Sequence, residues 1–325
     1  MKTCHIHITD IFHPHGDPDD HYDLALAFAL HKAGLLQLEQ VVMDYPPPHR
    51  VGDPALCAAA QLNEITGSHV PACIAPRDEE LAGERLCAML RTAPLPVTFT
   101  VVGSSESIAA AIRQQPALFS EKCAGIYLAA GTGIETPGGI LEYNVRLHPE
   151  AFTTVLNAPC PVYWAPCYHT ILTQAGESIS PERSGPYGSC YCIYQRELLE
   201  HLPARMQNYF LYMLTRSTDP KYLRYLDGAV DAAALAEKGA EKRRLWSTPL
   251  LLHAAGVPCE SWELVPAAIS CGEGGHTAWQ PAEKSSRYIF RKKGEALPVT
   301  DTFDTAGAYK EEMLAKLRCL LGALE

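Results

Sequence analysis

The sequence predicts an α/β fold: a doubly wound, mostly parallel central sheet with a helical insert and late antiparallel strands. Three observations carry that expectation. The first 165 or so residues alternate short apolar runs with amphipathic helical patterns, as βαβ units do. The segments that follow the apolar runs gather acidic, glycine and small polar residues, as strand ends facing a ligand do. The last third closes on two β-rich runs and one amphipathic helix.

In chain order, residues 4–9, 38–43, 97–102, 125–129 and 161–165 read as strands, because each is a short apolar run bounded by turn or charged residues. Residues 20–32, 54–66, 106–114 and 149–157 carry the helical period between them. Short connections and right-handed crossovers then give a doubly wound sheet. From about 180 to 245 the pattern turns helical, with an aromatic stretch at 206–214 and a helix at 229–244. Residues 262–270 and 287–291 read as late strands, an antiparallel pair, before a closing helix at 305–321. No internal repeat or linker-like stretch interrupts the chain, so the 325 residues are expected to form one large domain, 1–325.

Composition narrows the functions. Hydrophobic residues make up 47% and charged residues 20% of the chain, enough apolar material for a packed core. A net charge of −10 and a pI near 5.7 disfavour nucleic acid, whose binding draws on clustered Lys and Arg. The one basic run, Lys242-Arg243-Arg244, reads as a solvated helix face. No stretch approaches the ~20 apolar residues of a membrane span. Twelve dispersed cysteines, with no CxxC pair, suggest a reduced, cytoplasmic protein whose thiols, such as Cys57, Cys87 and Cys319, are small buried hydrophobes.

The chemistry concentrates at the first strand end. Asp10, Asp17, Asp19 and Asp20 fall within eleven residues, between an apolar strand and a helix. Like charges that close raise one another's pKa unless a cation neutralises them, and oxygen-only donors suit calcium or magnesium, with calcium favoured by irregular loop geometry. Helix capping accounts for one or two of these aspartates but poorly for Asp10. A rival is zinc, held by the nearby His13, His15 and His21 together with carboxylates; His5 and His7, on one strand face, read as buried structural histidines.

At this point the residues resemble a known family. Thr9-Asp10-Ile11 and, after four further residues, Gly16-Asp17-Pro18-Asp19-Asp20 resemble the Thr-Asp-Ile-Gly-x-Asp-Pro-Asp-Asp loop of a divergent branch of the nucleoside hydrolases. Phe99-Thr100-Val101-Val102-Gly103-Ser104-Ser105-Glu106-Ser107-Ile108-Ala109 is similar to the family's strand ending in Gly-Pro-Leu-Thr-Asn-Ile-Ala. Ile126-Tyr127-Leu128-Ala129-Ala130-Gly131, then Glu142-Tyr143-Asn144-Val145 and His148-Pro149-Glu150-Ala151, resemble its Met-Gly-Gly, Glu-Phe-Asn and Asp-Pro-Glu-Ala segments. The matches keep order and spacing across residues 3–170.

The resemblance implies a calcium-dependent N-ribohydrolase acting on a small nucleoside or related ribosyl compound, in an expected dimer or tetramer. It makes Asp10 and Asp20 calcium ligands with the Val102 carbonyl, and Asp10 also the general base toward the attacking water. Asp19, Glu142 and Asn144 would bind the ribose. Aromatics for the leaving base are sought among Tyr191, Tyr194, Tyr209, Tyr212 and Trp246. The family's late His-Asp pair is absent: the corresponding stretch is Leu245-Trp246-Ser247-Thr248-Pro249, with His253 too far along and Asp227 or Asp231 the nearest carboxylates in sequence. A ribosyl-ligand binding protein that has lost hydrolysis is therefore the alternative, and a phosphatase-like use of Asp10 is disfavoured by the missing Asp-x-Asp spacing.

Overall fold

The computed structural model describes residues 3–14, 19–45, 52–134, 140–170, 185–272, 274–293 and 307–324. His15, Asp17 and the start of the expected closing helix lie outside them.

Nine strands form the central sheet: β1 (Cys4–Thr9), β2 (Gln37–Met43), β3 (Ala72–Ile74), β4 (Val97–Val101), β5 (Cys123–Ala129), β6 (Val162–Ala165), β7 (Trp262–Cys271), β8 (Thr277–Pro281) and β9 (Arg287–Lys292). Their spatial order is β8-β7-β9-β6-β5-β4-β1-β2-β3. Every pairing from β9 to β3 is parallel, while β7 runs antiparallel to both β9 and β8. The chain thus travels outward from β1 through β2 to β3, then returns to β4 on the other flank of β1. That reversal is a topological switch point, and the carboxyl ends of β1 and β4 open a crevice where ligands bind in such sheets.

The flanking helices explain why β1 is buried on both faces. Between the strands run α1 (Asp19–Lys32), α2 (Leu56–Thr66), α3 (Glu79–Thr92), α4 (Glu106–Gln114), α5 (Pro116–Lys122), α6 (Tyr143–Leu147) and α7 (Pro149–Leu156). α1 is apolar nearly all round and buried from His21 to Leu30, so it lies inside the molecule rather than on it. It packs with α2 and the later helices on one sheet face, while Cys4, Ile6 and Ile8 of β1 turn to the other face, among residues of α3, α4 and α7. α3 begins at Asp78, whose side chain accepts the Leu81 N–H at 2.8 Å; α2 stops at Gly67, in the left-handed region at φ 65°.

The second β1 face is polar yet buried. His5 Nδ1 donates to Thr98 Oγ1 at 2.9 Å, since that hydroxyl donates onward to the Cys4 carbonyl, and Thr100 Oγ1 donates to His5 Nε2. His7, also fully buried, has no hydrogen-bond partner among the described residues. Burial drives both imidazoles neutral, His5 down to about 3 and His7 to about 4.

Two expectations are corrected. Lys242-Arg243-Arg244 is not a helix face: Lys242–Leu245 is a strand paired antiparallel with Tyr191–Tyr194, and the helix before it covers only Ala232–Gly239. Pairing with Tyr191–Tyr194 overrides the helical propensity of the charged run. Among the cysteines, Cys87 is buried, Cys57 half-buried and Cys319 exposed; all twelve are free thiols. No helix among the described residues is long and apolar enough to cross a membrane.

Candidate active site

At the carboxyl ends of β1 and β4 a cavity of about 240 Å³ is lined by Asp10, Asp19, Asp20, Val102, Glu142 and Asn144, all six residues singled out in the sequence. The fold supplies them from separate places. Asp10 follows β1, Asp19 and Asp20 open α1, Val102 follows β4, and Glu142 and Asn144 sit where α6 begins.

The carboxyl groups crowd one another. Asp20 is pushed well above the usual carboxylate range, first by burial and then by the charges of Asp10 and Asp19, and it shares a hydrogen bond with Asp10. Two carboxyls hold a proton between them when nothing else neutralises them. Together with the Val102 carbonyl they form an oxygen-only donor set, which fits a hard divalent cation of the calcium or magnesium kind. That carbonyl accepts the Asn144 Nδ2–H at 2.9 Å and retains a second lone pair.

Glu142 combines lining with structure. Its Oε2 accepts the Gly131 N–H at 2.8 Å and the Val145 N–H, and its Oε1 accepts the Asn144 N–H at 3.0 Å. It therefore caps α6 while facing the cavity. Burial raises its pKa against the pull of those three N–H groups. Gly131, at φ 80°, lets the loop turn toward this carboxylate: an added Cβ would lie 3.1 Å from Phe152 Cζ.

The aromatic lining differs from the expectation. Trp246 does line the cavity, set edge-on to Tyr168 at 6.1 Å, and Phe12 and Tyr143 join it. Tyr191 and Tyr209 are instead buried in the core, Tyr212 stacks on His13, and Tyr194 lies under Arg196 and Lys242. A helical period marks a residue as facing the core but does not say which loop folds over a strand end.

The late stretch places Trp246 and Ser247 at the cavity. Ser247 hydrogen-bonds Asp23, a buried carboxyl one turn beyond Asp20 whose pKa burial raises to about 7. His253 turns away, its Nδ1 bonded to the Tyr127 hydroxyl at 3.1 Å. Asp227 pairs with Arg205 and Asp231 caps the Ala232–Gly239 helix, so neither supplies a carboxylate here. Of the histidines considered for zinc, His13 bonds the Ser217 carbonyl and neither it nor His21 lines the cavity.

A second cavity of about 430 Å³ adjoins the first and shares Asp10 and Phe12 with it. Its least anticipated member is Asp44, immediately after β2. The Asp44 carboxylate is buried and accepts the Ser104 N–H and Oγ–H at 3.0 Å, and the Ser107 hydroxyl at 3.4 Å. Burial first, then Asp10, raise its pKa to about 7. Its position after a strand was the available signal. Elsewhere in this cavity Glu79, Glu106 and His148 bring ligand-type atoms within 4.8 Å of one another. His148 Nδ1 accepts the Ala151 N–H at 3.2 Å.

No protein-family model matches the chain, and no curated protein matches it in sequence. Solved structures do. An inosine-uridine preferring nucleoside hydrolase from Bacillus anthracis aligns over 99% of each chain, at 12% identity and a TM-score of 0.54. An inosine-guanosine nucleoside hydrolase aligns over 98% of each, at 13% identity and TM-score 0.52. A plant nucleoside hydrolase aligns over 98% of this chain and 99% of its own, at 15% identity and TM-score 0.51. The mostly parallel nine-stranded sheet with its late antiparallel strands is the fold of the nucleoside hydrolases.

Proposed function

We propose that this chain is a metal-dependent N-ribohydrolase that cleaves the N-glycosidic bond of a ribonucleoside or related ribosyl compound, giving ribose and the free base. One observation carries the reading: Asp10, Asp20 and the Val102 carbonyl line one cavity at the switch point of this fold. Calcium is the proposed ion, held by those three groups. A bound cation would neutralise the crowded carboxylates and acidify a water at the site.

The chain's own residues do the rest. Asp10 takes the proton from the attacking water. Asp19, Glu142 and Asn144 orient the ribose hydroxyls, and their hydrogen bonds strengthen as the sugar acquires oxocarbenium character. Trp246, Tyr168 and Phe12 exclude water around the departing base. The protein is proposed to work as a cytoplasmic homo-oligomer, a dimer or tetramer, and as one domain per chain.

A second reading, a ribosyl-ligand binding protein without hydrolysis, is favoured by Trp246 and Ser247 standing where the resemblance implies a His-Asp pair. Reducing-sugar release from inosine, uridine and a wider nucleoside panel by calcium-loaded protein separates the two. Hydrolysis predicts release that falls roughly 10²–10⁴-fold in Asp10→Asn, the usual range for a general base. Nucleoside binding without release by the unaltered protein establishes the second reading.

A further inference from the structure

We propose that Cys123 and Cys160 form a dithiol modification site, which a hydroperoxide closes into a disulfide that staples residues 123–160 and stabilises the fold. The site lies at the opposite end of the sheet from the two cavities, so it stands apart from the N-ribohydrolase reading.

The strand layout brings the two sulfurs together. β5 and β6 are adjacent parallel strands, with Ile126 opposite Val162 and the Ile126 N–H donating to the Pro161 carbonyl at 2.9 Å. Cys123 opens β5 and Cys160 stands just before β6, so both sit at the amino ends of neighbouring strands. Their side chains enter the same apolar cluster, on the sheet face of Cys4, Ile6 and Ile8, and the Cys123 thiol donates a hydrogen bond to the Cys160 sulfur. The seven residues of β5 put about 20 Å between Cys123 and Ala129, which lines the first cavity.

Arg287 completes the site. Its guanidinium donates to the carbonyls of Leu156 at 2.7 Å, Ala158 at 2.6 Å and Cys160 at 3.2 Å, which fixes the turn between α7 and β6. The Cys123 hydrogen bond first, and the Arg287 charge with it, hold the Cys160 thiol below its ordinary range against the effect of burial. Burial pushes Cys123 up, so Cys160 is the attacking thiolate and Cys123 the thiol that resolves it. Cys167 and Cys190, whose backbones also meet, are both pushed up by burial and offer no such thiolate. Cys123 and Cys160 keep 6% and 5% of their exposure, which favours a small oxidant over a bulky one.

The chemistry balances. Cys160 releases its proton to solvent, its sulfur bonds the distal oxygen of the hydroperoxide, and the oxygen–oxygen bond breaks. The departing alkoxide or hydroxide takes up that proton. The Cys123 sulfur then bonds the sulfur of the Cys160 sulfenic acid, and hydroxide leaves with the Cys123 proton as water. Two thiols lose two electrons, and the hydroperoxide becomes an alcohol and a water. The closed ring carries Gly131, Glu142 and Asn144, and a cross-link of that span removes freedom from the unfolded chain.

Hydrogen peroxide is applied to the folded full-length chain and, for comparison, to the chain in urea. The expected product has lost two of the twelve thiols and yields a peptide linked through 123 and 160 after proteolysis. Its unfolding midpoint should rise by about 5 °C, and dithiothreitol should reverse the rise. Urea should abolish the preference for that link. Cys123→Ala should leave Cys160 as a sulfenic acid that dimedone captures, and Cys160→Ala should slow oxidation of Cys123 at least about 10-fold. The linked peptide is read on the unaltered chain, so the result does not depend on either variant folding. No link, a link between other cysteines, the same link formed equally in urea, or a link that leaves the midpoint unmoved overturns the proposal.

Discussion

Gly103 sits where a Cβ would lie 2.5 Å from Asp44 Oδ2 and 3.2 Å from Asp10 Cβ. The close approach of two carboxylate-bearing loops therefore depends on the missing side chain. Gly103→Ala must push one loop away, costing about 1–3 kcal/mol as overpacking does; thermal unfolding together with calcium titration should show both lower stability and weaker metal binding. A second residue sets a pH dependence. Asp23 is held near 7 when folded against about 3.8 unfolded, so the folded state binds the extra proton between those values and stability falls as pH rises through them. Asp23→Asn should flatten that fall and gain a few kcal/mol at about pH 8 relative to the unaltered protein, on the order of the linkage. Denaturant unfolding at pH 5 and 8 measures it, and an unchanged difference between the two pH values would refute the assignment.

At the scale of the element, β1 carries two buried histidines with different surroundings. His5 is bonded at both nitrogens by Thr98 and Thr100, whereas His7 has no hydrogen-bond partner among the described residues. His5→Leu strands the buried Thr100 hydroxyl and removes the bond to Thr98, and should cost about 1–3 kcal/mol; His7→Leu strands no hydroxyl and should cost less or stabilise. Chemical denaturation of the two variants ranks them. Both imidazoles are held neutral, below their ordinary 6.5, so their contribution is present above that pH and lost as pH falls toward about 4. Between about pH 4 and 6.5 the histidines of β1 and Asp23 therefore act on stability in opposite directions.

Across the whole molecule, the sheet, α1 and the closing helix Ala308–Gly322 share one apolar cluster that draws on residues from Ile11 to Leu324. A chain so connected is expected to unfold in one cooperative transition. Calcium binding only the folded state should raise that midpoint, by about 2.7 kcal/mol of stability at a hundredfold excess over its dissociation constant. Calorimetry with calcium and with chelator tests both statements. Two resolved transitions would contradict the single-domain proposal, and an unmoved midpoint would contradict the metal site.

Much of this was readable from residues alone. The first five strand segments identified in the sequence are strands in the fold, because each is a short apolar run between turn residues. Asp10, Asp19, Asp20, Val102, Glu142 and Asn144, to which the family resemblance pointed, line one cavity at the strand ends, where this architecture places ligands. The tertiary structure alone decided the strand at Lys242–Leu245, the burial of Asp44 and the place of Tyr168 and Phe12 beside Trp246 in the cavity. Periodicity is a property of neighbours in sequence and reports local structure. Which loops meet over the sheet, and which charges must share one cavity, depends on contacts between residues far apart in the chain, and no local pattern records them.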